Sequence, residues 1–432
     1  VRRISITVAT ILALFCVACA PDSSERDSEP ASKPATDKEG LEALSLQLRR
    51  LVGESVIPGA AVAIVDADGE IYRDGFGFAD TEARRPFTPG TVHIIASISK
   101  TFIGVALMKL VDEGKLSLDE PVNSILPFAV DHPRYPQVPI TVEHLVTHTA
   151  TLIDDFDPED VGQADIRLLE ELEYADPATA ALMDEDLAYY RLGRPMTLEQ
   201  SLRNFLSTDG AWYTESNFQP WRPGTRYEYS NLGSELAALI VEIRSGLPFD
   251  AYTRQQIFEP LGMEHTTWRY DEVDPAAASR LYRPDDWETP RNAIEHPRYQ
   301  YTGYPSGDLK STIDDLSRYL REMIRGSRGD GTILSPEAYD TLFAPRLDPT
   351  YFPEGRDDSP LGDSYDVGIF WAVSPQGYRL HNGGSIGVYS FLYFDPATSS
   401  GAVGFCNLPD GSFGAIRDAV HARERELSAR KP

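Results

Sequence analysis

Ser97 and Lys100, three residues apart in Ser97-Ile98-Ser99-Lys100, have types and a spacing that could do chemistry. Residues three apart on a helix share a face, so hydroxyl and amine are neighbours there. A serine hydroxyl is a weak nucleophile until a base takes its proton. A lysine amine serves as that base only where burial or nearby charge loosens its own proton. The pair follows the apolar run Val92 to Ala96 and opens a stretch with Ile98, Phe102, Val105, Leu110 and Val111 at helical spacing, which Gly114 stops. The spacing therefore predicts a helix that buries Lys100 and leaves free N–H groups near Ser97.

Two further groups could complete such a site. Tyr229-Ser230-Asn231 follows the loop signal Pro223-Gly224 and precedes a helical run from Leu232 to Ile243. A loop tyrosine can relay a proton and an asparagine amide can hold a substrate carbonyl, although a packing aromatic and a helix cap explain the same residues singly. His381-Asn382-Gly383-Gly384 ends a strand-like stretch. Glycines there would let a substrate backbone approach closely and would offer an N–H to an oxyanion; an ordinary hairpin turn is the plain alternative.

The elements that must position these residues alternate between helix and strand periods. Leu41 to Leu51 has helical spacing, Gly59 to Asp66 reads as a buried strand, and Ala67-Asp68-Gly69 turns into a second strand from Glu70. Near the C-terminus, Tyr378 to His381, Val388 to Asp395 and Gly401 to Asn407 read as strands, and Ser412 to Leu427 as a helix. Hairpins with a helix at each end predict an α/β (α+β) fold in which one antiparallel sheet is shared by both termini. The domain spans 41–432, its α/β part being 41–115 and 330–432 and its mainly helical part 116–329.

The order S-x-x-K, Y-x-N, H-x-G resembles the serine β-lactamase and penicillin-binding protein superfamily, in its class C-like branch of β-lactamases, D-aminopeptidases and carboxylesterases. Leu145-Val146-Thr147-His148-Thr149, Pro260-Leu261-Gly262-Met263 and Ser311-Thr312-Ile313-Asp314-Asp315-Leu316 extend the resemblance over about residues 45 to 410. It implies a β-lactamase-like fold and a covalent acyl-serine intermediate on an ester or amide: a carboxylic ester, a D-amino-acid peptide or a β-lactam. Ser97 would be the nucleophile, with Lys100 and Tyr229 its proton-transfer partners. The N–H groups of Ser97 and Gly384 would form the oxyanion hole, and Asn231, His381 and Gly383 would meet the substrate. No cofactor or metal is implied. Two departures stand out. His381 replaces the lysine of the β-lactamases' third motif, a fixed cation giving way to a group partly charged near neutral pH. Gly307-Asp308 stands where many relatives have Gly-Gly.

The 432 residues carry 67 Asp+Glu against 40 Lys+Arg, a net charge of −27, which excludes a nucleic-acid binder and disfavours docking on anionic lipid. Thirteen acidic side chains and one arginine lie between 154 and 186, either a solvated helical excursion or an acidic lip over a cleft. Arg2-Arg3 and the apolar run Ile4 to Val17 read as a signal peptide over 1–18. The sequence Cys16-Val17-Ala18-Cys19 resembles a bacterial lipobox with Cys19 lipidated. Residues 19–40, rich in Pro, Ser and charge, read as a flexible linker. The expectation is an exported, membrane-anchored lipoprotein facing the periplasm, touching the membrane only through its lipid. Cys406 is then the lone cysteine of the mature chain, which allows no internal disulfide. It lies in an apolar strand pattern as a small core residue.

Three motifs point elsewhere. Gly383-Gly384-Ser385-Ile386-Gly387 matches G-x-S-x-G, but the stretch after it alternates like a strand, whereas that nucleophile elbow needs a helix. His144 and His148 have a zinc-pair spacing without the accompanying glutamate, and read as packing and capping residues. A protein of the same fold that binds penicillin or peptidoglycan without turnover is the competing reading. The retention of Ser97, Lys100 and Tyr229 argues against it.

Overall fold

The computed structural model describes residues 37–153, 166–188, 190–193 and 195–430. The signal peptide, Cys19 and most of the linker lie outside these residues. The first helix, Asp37–Glu54, begins four residues before the linker boundary expected from composition. Among the described residues no helix is long and apolar enough to cross a membrane.

Strand β1 (Gly59–Asp66) is buried on both faces, as its unbroken small and branched apolar residues require. It pairs antiparallel with β2 (Glu70–Asp80), which pairs with β3 (Arg85–Pro86). Short strands β4 (His93–Ile94), β5 (Ile166–Leu168), β6 (Leu281–Pro284), β7 (Ala293–His296), β8 (Tyr299–Tyr301) and β9 (Lys310–Ser311) form three two-stranded ribbons, β4–β9, β5–β8 and β6–β7. The C-terminal strands β10 (Asp366–Val367), β11 (Ala372–Val373), β12 (Arg379–Ser385), β13 (Val388–Asp395) and β14 (Ser400–Cys406) complete an eight-stranded sheet. Its order is β10-β11-β12-β13-β14-β1-β2-β3, so the two termini meet at β14–β1, with Ala60 opposite Cys406 and Asp66 opposite Ser400. The shared antiparallel sheet expected from the sequence is the one observed.

Alternation along β1 sends side chains into two cores. Ala60, Val62 and Ile64 pack under the helices Asp37–Glu54 and Phe413–Ser428. Ala61, Ala63 and Val65 face the helices Ser99–Asp112 and Ile313–Gly326, the layer that carries Lys100. Cys406 is fully buried between β1 and β13, and burial pushes its thiol up to about 12, so it is a core residue and not a nucleophile.

The C-terminal hairpin corrects one expectation. The turn does not fall at Gly383-Gly384; β12 continues to Ser385, and Ile386-Gly387 turn the chain, with Gly387 at φ +80°. The glycines serve close approach within the strand: a Cβ on Gly383 would lie 2.6 Å from the Ile95 carbonyl, too near for any side chain.

Two acids of the acidic stretch, Glu170 and Asp186, are built into the fold. Residues 154–165 lie outside the described residues. Beyond them, β5 pairs with β8, and Glu170 accepts two bonds from the Arg298 guanidinium, at 2.9 and 2.8 Å, and a third from its backbone N–H at 3.1 Å. Asp186 faces Arg283 at 2.8 Å. These two acids gain partners because arginines of the segment 280–298 come up against them, while Glu171, Glu173, Asp176, Asp184 and Glu185 stay exposed.

Candidate active site

Ser97 sits in a 3-10 turn, Ala96–Ile98, that runs into the helix Ser99–Asp112. Ala96 adopts φ +48°, a left-handed conformation that costs a non-glycine residue energy and brings the chain abruptly from β4 into the turn. Lys100, one helical turn on, is fully buried, while Ser97 keeps 8% exposure. The Lys100 Nζ lies 3.3 Å from Ser97 Oγ and donates at 2.6 Å both to Asn231 Oδ1 and to the Ser306 carbonyl. The helix end explains why Asn231 is available. Ser230, not Asn231, caps the helix Asn231–Ser245 by accepting from Gly233 N–H, which leaves the neighbouring amide for the lysine.

The Tyr229 ring stands 5.0 Å from Lys100 Nζ. His148 stacks on it at 4.6 Å between centroids, and the His381 ring lies 6.3 Å away on β12. Tyr229, Asn231 and Gly384 are half-buried, so the group reaches solvent on their side. The structure thus brings Ser97, Lys100, Tyr229, Asn231 and His381 together from the helix after β4, the loop before Asn231 and β12. Gly383 abuts the turn that holds Ser97, its α-carbon facing Ile95 and Ala96.

Two groups escaped the sequence reading. His144 does cap its helix, in reciprocal bonds with Thr141, but His148 neither caps nor merely packs. At φ +54° its backbone turns so that its carbonyl accepts from Glu228 N–H at 2.7 Å and its Nδ1 from Ser230 N–H at 3.2 Å. One imidazole therefore holds the chain on both sides of Tyr229, and its position within Leu145 to Thr149 was the only available signal. The Ser306 carbonyl is the other; a backbone oxygen leaves no mark on residue type.

His381 corrects a second expectation. Burial, with the Lys100 charge adding to it, pushes its imidazole down to about 3, so it is neutral near pH 7 rather than partly charged. Burial likewise holds His93 down to about 4 and His148 well below the usual range. The sign follows from where the protons go. Below about pH 6.5 the unfolded chain protonates these histidines and the folded chain does not, so stability falls as pH drops. Each histidine contributes about 1.4 kcal/mol per pH unit in that window. Asp308, fully buried and pushed up to about 6, works in the opposite direction and offsets part of one histidine. Denaturant midpoints should therefore fall between pH 7 and pH 5 by the equivalent of a few kcal/mol; a flat or rising midpoint over that range contradicts this assignment.

Ser385, the G-x-S-x-G serine, leads into strand β13, and its hydroxyl meets no base but the phenols of Tyr299 and Tyr301, at 2.9 and 3.1 Å, among the described residues. Among the described residues no cluster of three or more His, Cys, Asp or Glu could hold a metal ion.

Comparison with known proteins agrees with this architecture. The family described as Beta-lactamase matches residues 47–426. Protein flp of Staphylococcus aureus is 23% identical over 357 residues, covering 82% of this chain but 60% of its own, so the chain spans about three fifths of the length of such relatives. The octameric penicillin-binding protein homologue from Pyrococcus abyssi is 26% identical, with a TM-score of 0.67 over 90% of this chain and 77% of its own. The D-amino acid amidase from Ochrobactrum anthropi SV3, 22% identical, shares the fold with a TM-score of 0.61 over 91% of this chain and 99% of its own.

Proposed function

The chain belongs to the beta-lactamase family, and from that premise we propose that it is a serine hydrolase that carries the acyl group of an ester or amide on Ser97. One observation carries the reading: Lys100 Nζ, fully buried, faces Ser97 Oγ at 3.3 Å while Asn231 and Ser306 accept from it. In the amine form of Lys100, those two acceptors hold its two hydrogens and the lone pair is left towards the serine. The lysine then takes the Ser97 proton as Oγ attacks the substrate carbonyl. Tyr229, beside the amine, passes a proton to the leaving group, and water repeats the sequence in reverse to free the acid. The N–H groups of Ser97 and Gly384 receive the oxyanion. Losing one such donor typically costs about 2.7–4 kcal/mol of transition-state stabilisation.

Neutral His381 shapes the substrate class. A carboxylate approaching along β12 meets an uncharged imidazole, and the buried Lys100 already donates to protein oxygens. A neutral nitrophenyl ester should therefore exceed its carboxylate-bearing analogue in kcat/KM by roughly tenfold or more, the order of one missing charge-assisted hydrogen bond. A panel that adds a chromogenic cephalosporin and a D-Ala-D-Ala peptide tests this, with mass spectrometry following the adduct. Preference for the anionic ester overturns the specificity, and an adduct that forms and never hydrolyses turns the reading to a binding protein. The address is part of the proposal: Cys19 carries lipid after cleavage of residues 1–18, and palmitate labelling lost in Cys19→Ala tests it.

A further inference from the structure

We infer that the Ser385 hydroxyl, ordered between Tyr299 and Tyr301, is a positioning group that fixes the end of β12 and with it the Gly384 N–H. The inference rests on the reading that Gly384 faces the oxyanion.

The end of β12 needs such a group. On one side β13 pairs with it throughout, from Arg379 to Ser385, but on the other β11 reaches only Arg379 and Leu380. Among the described residues, the edge from His381 onward has no strand of the sheet beside it. Two successive glycines, 383 and 384, further soften that stretch, because glycine restricts the backbone least. An oxyanion donor there must be held in direction by something outside the ladder, since an error of an ångström in such a donor weakens catalysis strongly.

Donor counting fixes how the hydroxyls are ordered. Burial holds the Tyr299 phenol well above its ordinary range, so it keeps its proton, and it donates that proton to the Ile386 carbonyl at 2.7 Å. Tyr299 can then only accept from Ser385, at 2.9 Å. Ser385 has one proton and has given it, so in its 3.1 Å contact with Tyr301 the tyrosine is the donor. The chain runs Tyr301 to Ser385 to Tyr299 to the Ile386 carbonyl. It grips both the residue after Gly384 and the turn that follows.

The gripping strand is itself anchored. Tyr299 is fully buried in a cluster with Ile94, Ala96 and Val388, so the core that locks it also backs the turn before Ser97. β5 pairs with β8, setting Ile166 opposite Tyr301 and Leu168 opposite Tyr299. Beyond β8 in the chain, Lys310 Nζ lies 3.0 Å from Asp308 Oδ1 with both side chains fully buried. The strand β5, inside the acidic stretch, thus backs the strand that holds the two tyrosines against Ser385.

Rates of labelling at Ser97 by a fluorophosphonate and inhibition constants for phenylboronic acid test this, since both adducts place an oxygen where the oxyanion forms. In the full chain, Ser385→Ala should slow labelling and weaken boronate binding, each by about tenfold, with the thermal midpoint unchanged. Ser385→Thr, which restores the hydroxyl, should return both to within about threefold of wild type. Tyr301→Phe should show a smaller loss, because Ser385 still donates to Tyr299. Wild-type values in Ser385→Ala, or a Ser385→Thr chain as slow as Ser385→Ala, overturn the inference while leaving Ser97 as the nucleophile. A wild-type chain that takes no label at Ser97 overturns the reading beneath it as well.

Discussion

Ser97→Ala is expected to remove covalent labelling altogether and to lower ester turnover by roughly 10⁴- to 10⁶-fold, the loss seen when an acyl-enzyme nucleophile is deleted. The chain should stay folded. The hydroxyl is a small group with 8% of its residue exposed, and without it Lys100 still donates to Asn231 and Ser306 at 2.6 Å. Intact-mass spectrometry after incubation with a fluorophosphonate reads the result directly, with the labelled peptide located by digestion. Ser385→Ala is the necessary companion, because Ser385 occupies the other serine motif that fits a nucleophile. It should slow labelling without moving it. Label on Ser385 in the wild-type chain, or its persistence in Ser97→Ala, would defeat the whole assignment.

The second large effect belongs to Lys100. Lys100→Met keeps the length and apolar stem of the side chain but removes the base, and labelling should slow by about 10³-fold, within the usual range for a lost general base. The change also takes one donor from half-buried Asn231 and strands the buried Ser306 carbonyl. Each buried polar group left without a donor costs about 1–3 kcal/mol, so the denaturant midpoint should fall as well. Stability and rate can be separated by measuring the rate well below the midpoint, where the folded fraction is full. Tyr229→Phe supplies the contrast. It keeps the ring that stacks on His148 at 4.6 Å, so stability should hold while turnover drops by about 10²-fold. A Lys100→Met chain that labels as fast as wild type would place the base elsewhere, His148 being the next group to test.

How much of this was legible follows from what kind of fact each feature is. The pairing of Ser97 with Lys100 is a property of helical periodicity, and three residues on one helix place them together wherever that helix goes. β1 is similarly local: its unbroken apolar residues needed partners on both faces, and the helices Asp37–Glu54 and Ser99–Asp112 supply them. The stretch around Gly383 stays ambiguous in sequence because a glycine pair signals a turn and a close approach equally well. Only the nearness of the Ile95 carbonyl decides between them.

The sequence by itself determined the chemical types, the Ser-Lys spacing, the shared sheet and the family resemblance, because these depend on residue identity and on periods of two and three to four residues. Tertiary structure alone decided which backbone carbonyl holds the lysine, that His148 braces Tyr229, that His381 is neutral, and that two tyrosines reach Ser385. Those facts depend on burial and on contacts between residues far apart in the chain: Lys100 meets Ser306, and Tyr299 meets Ser385, only after the helical middle has folded back on the sheet. A proton's affinity and a hydrogen bond's direction are set by what surrounds a group, and the surroundings are not written beside it in the chain.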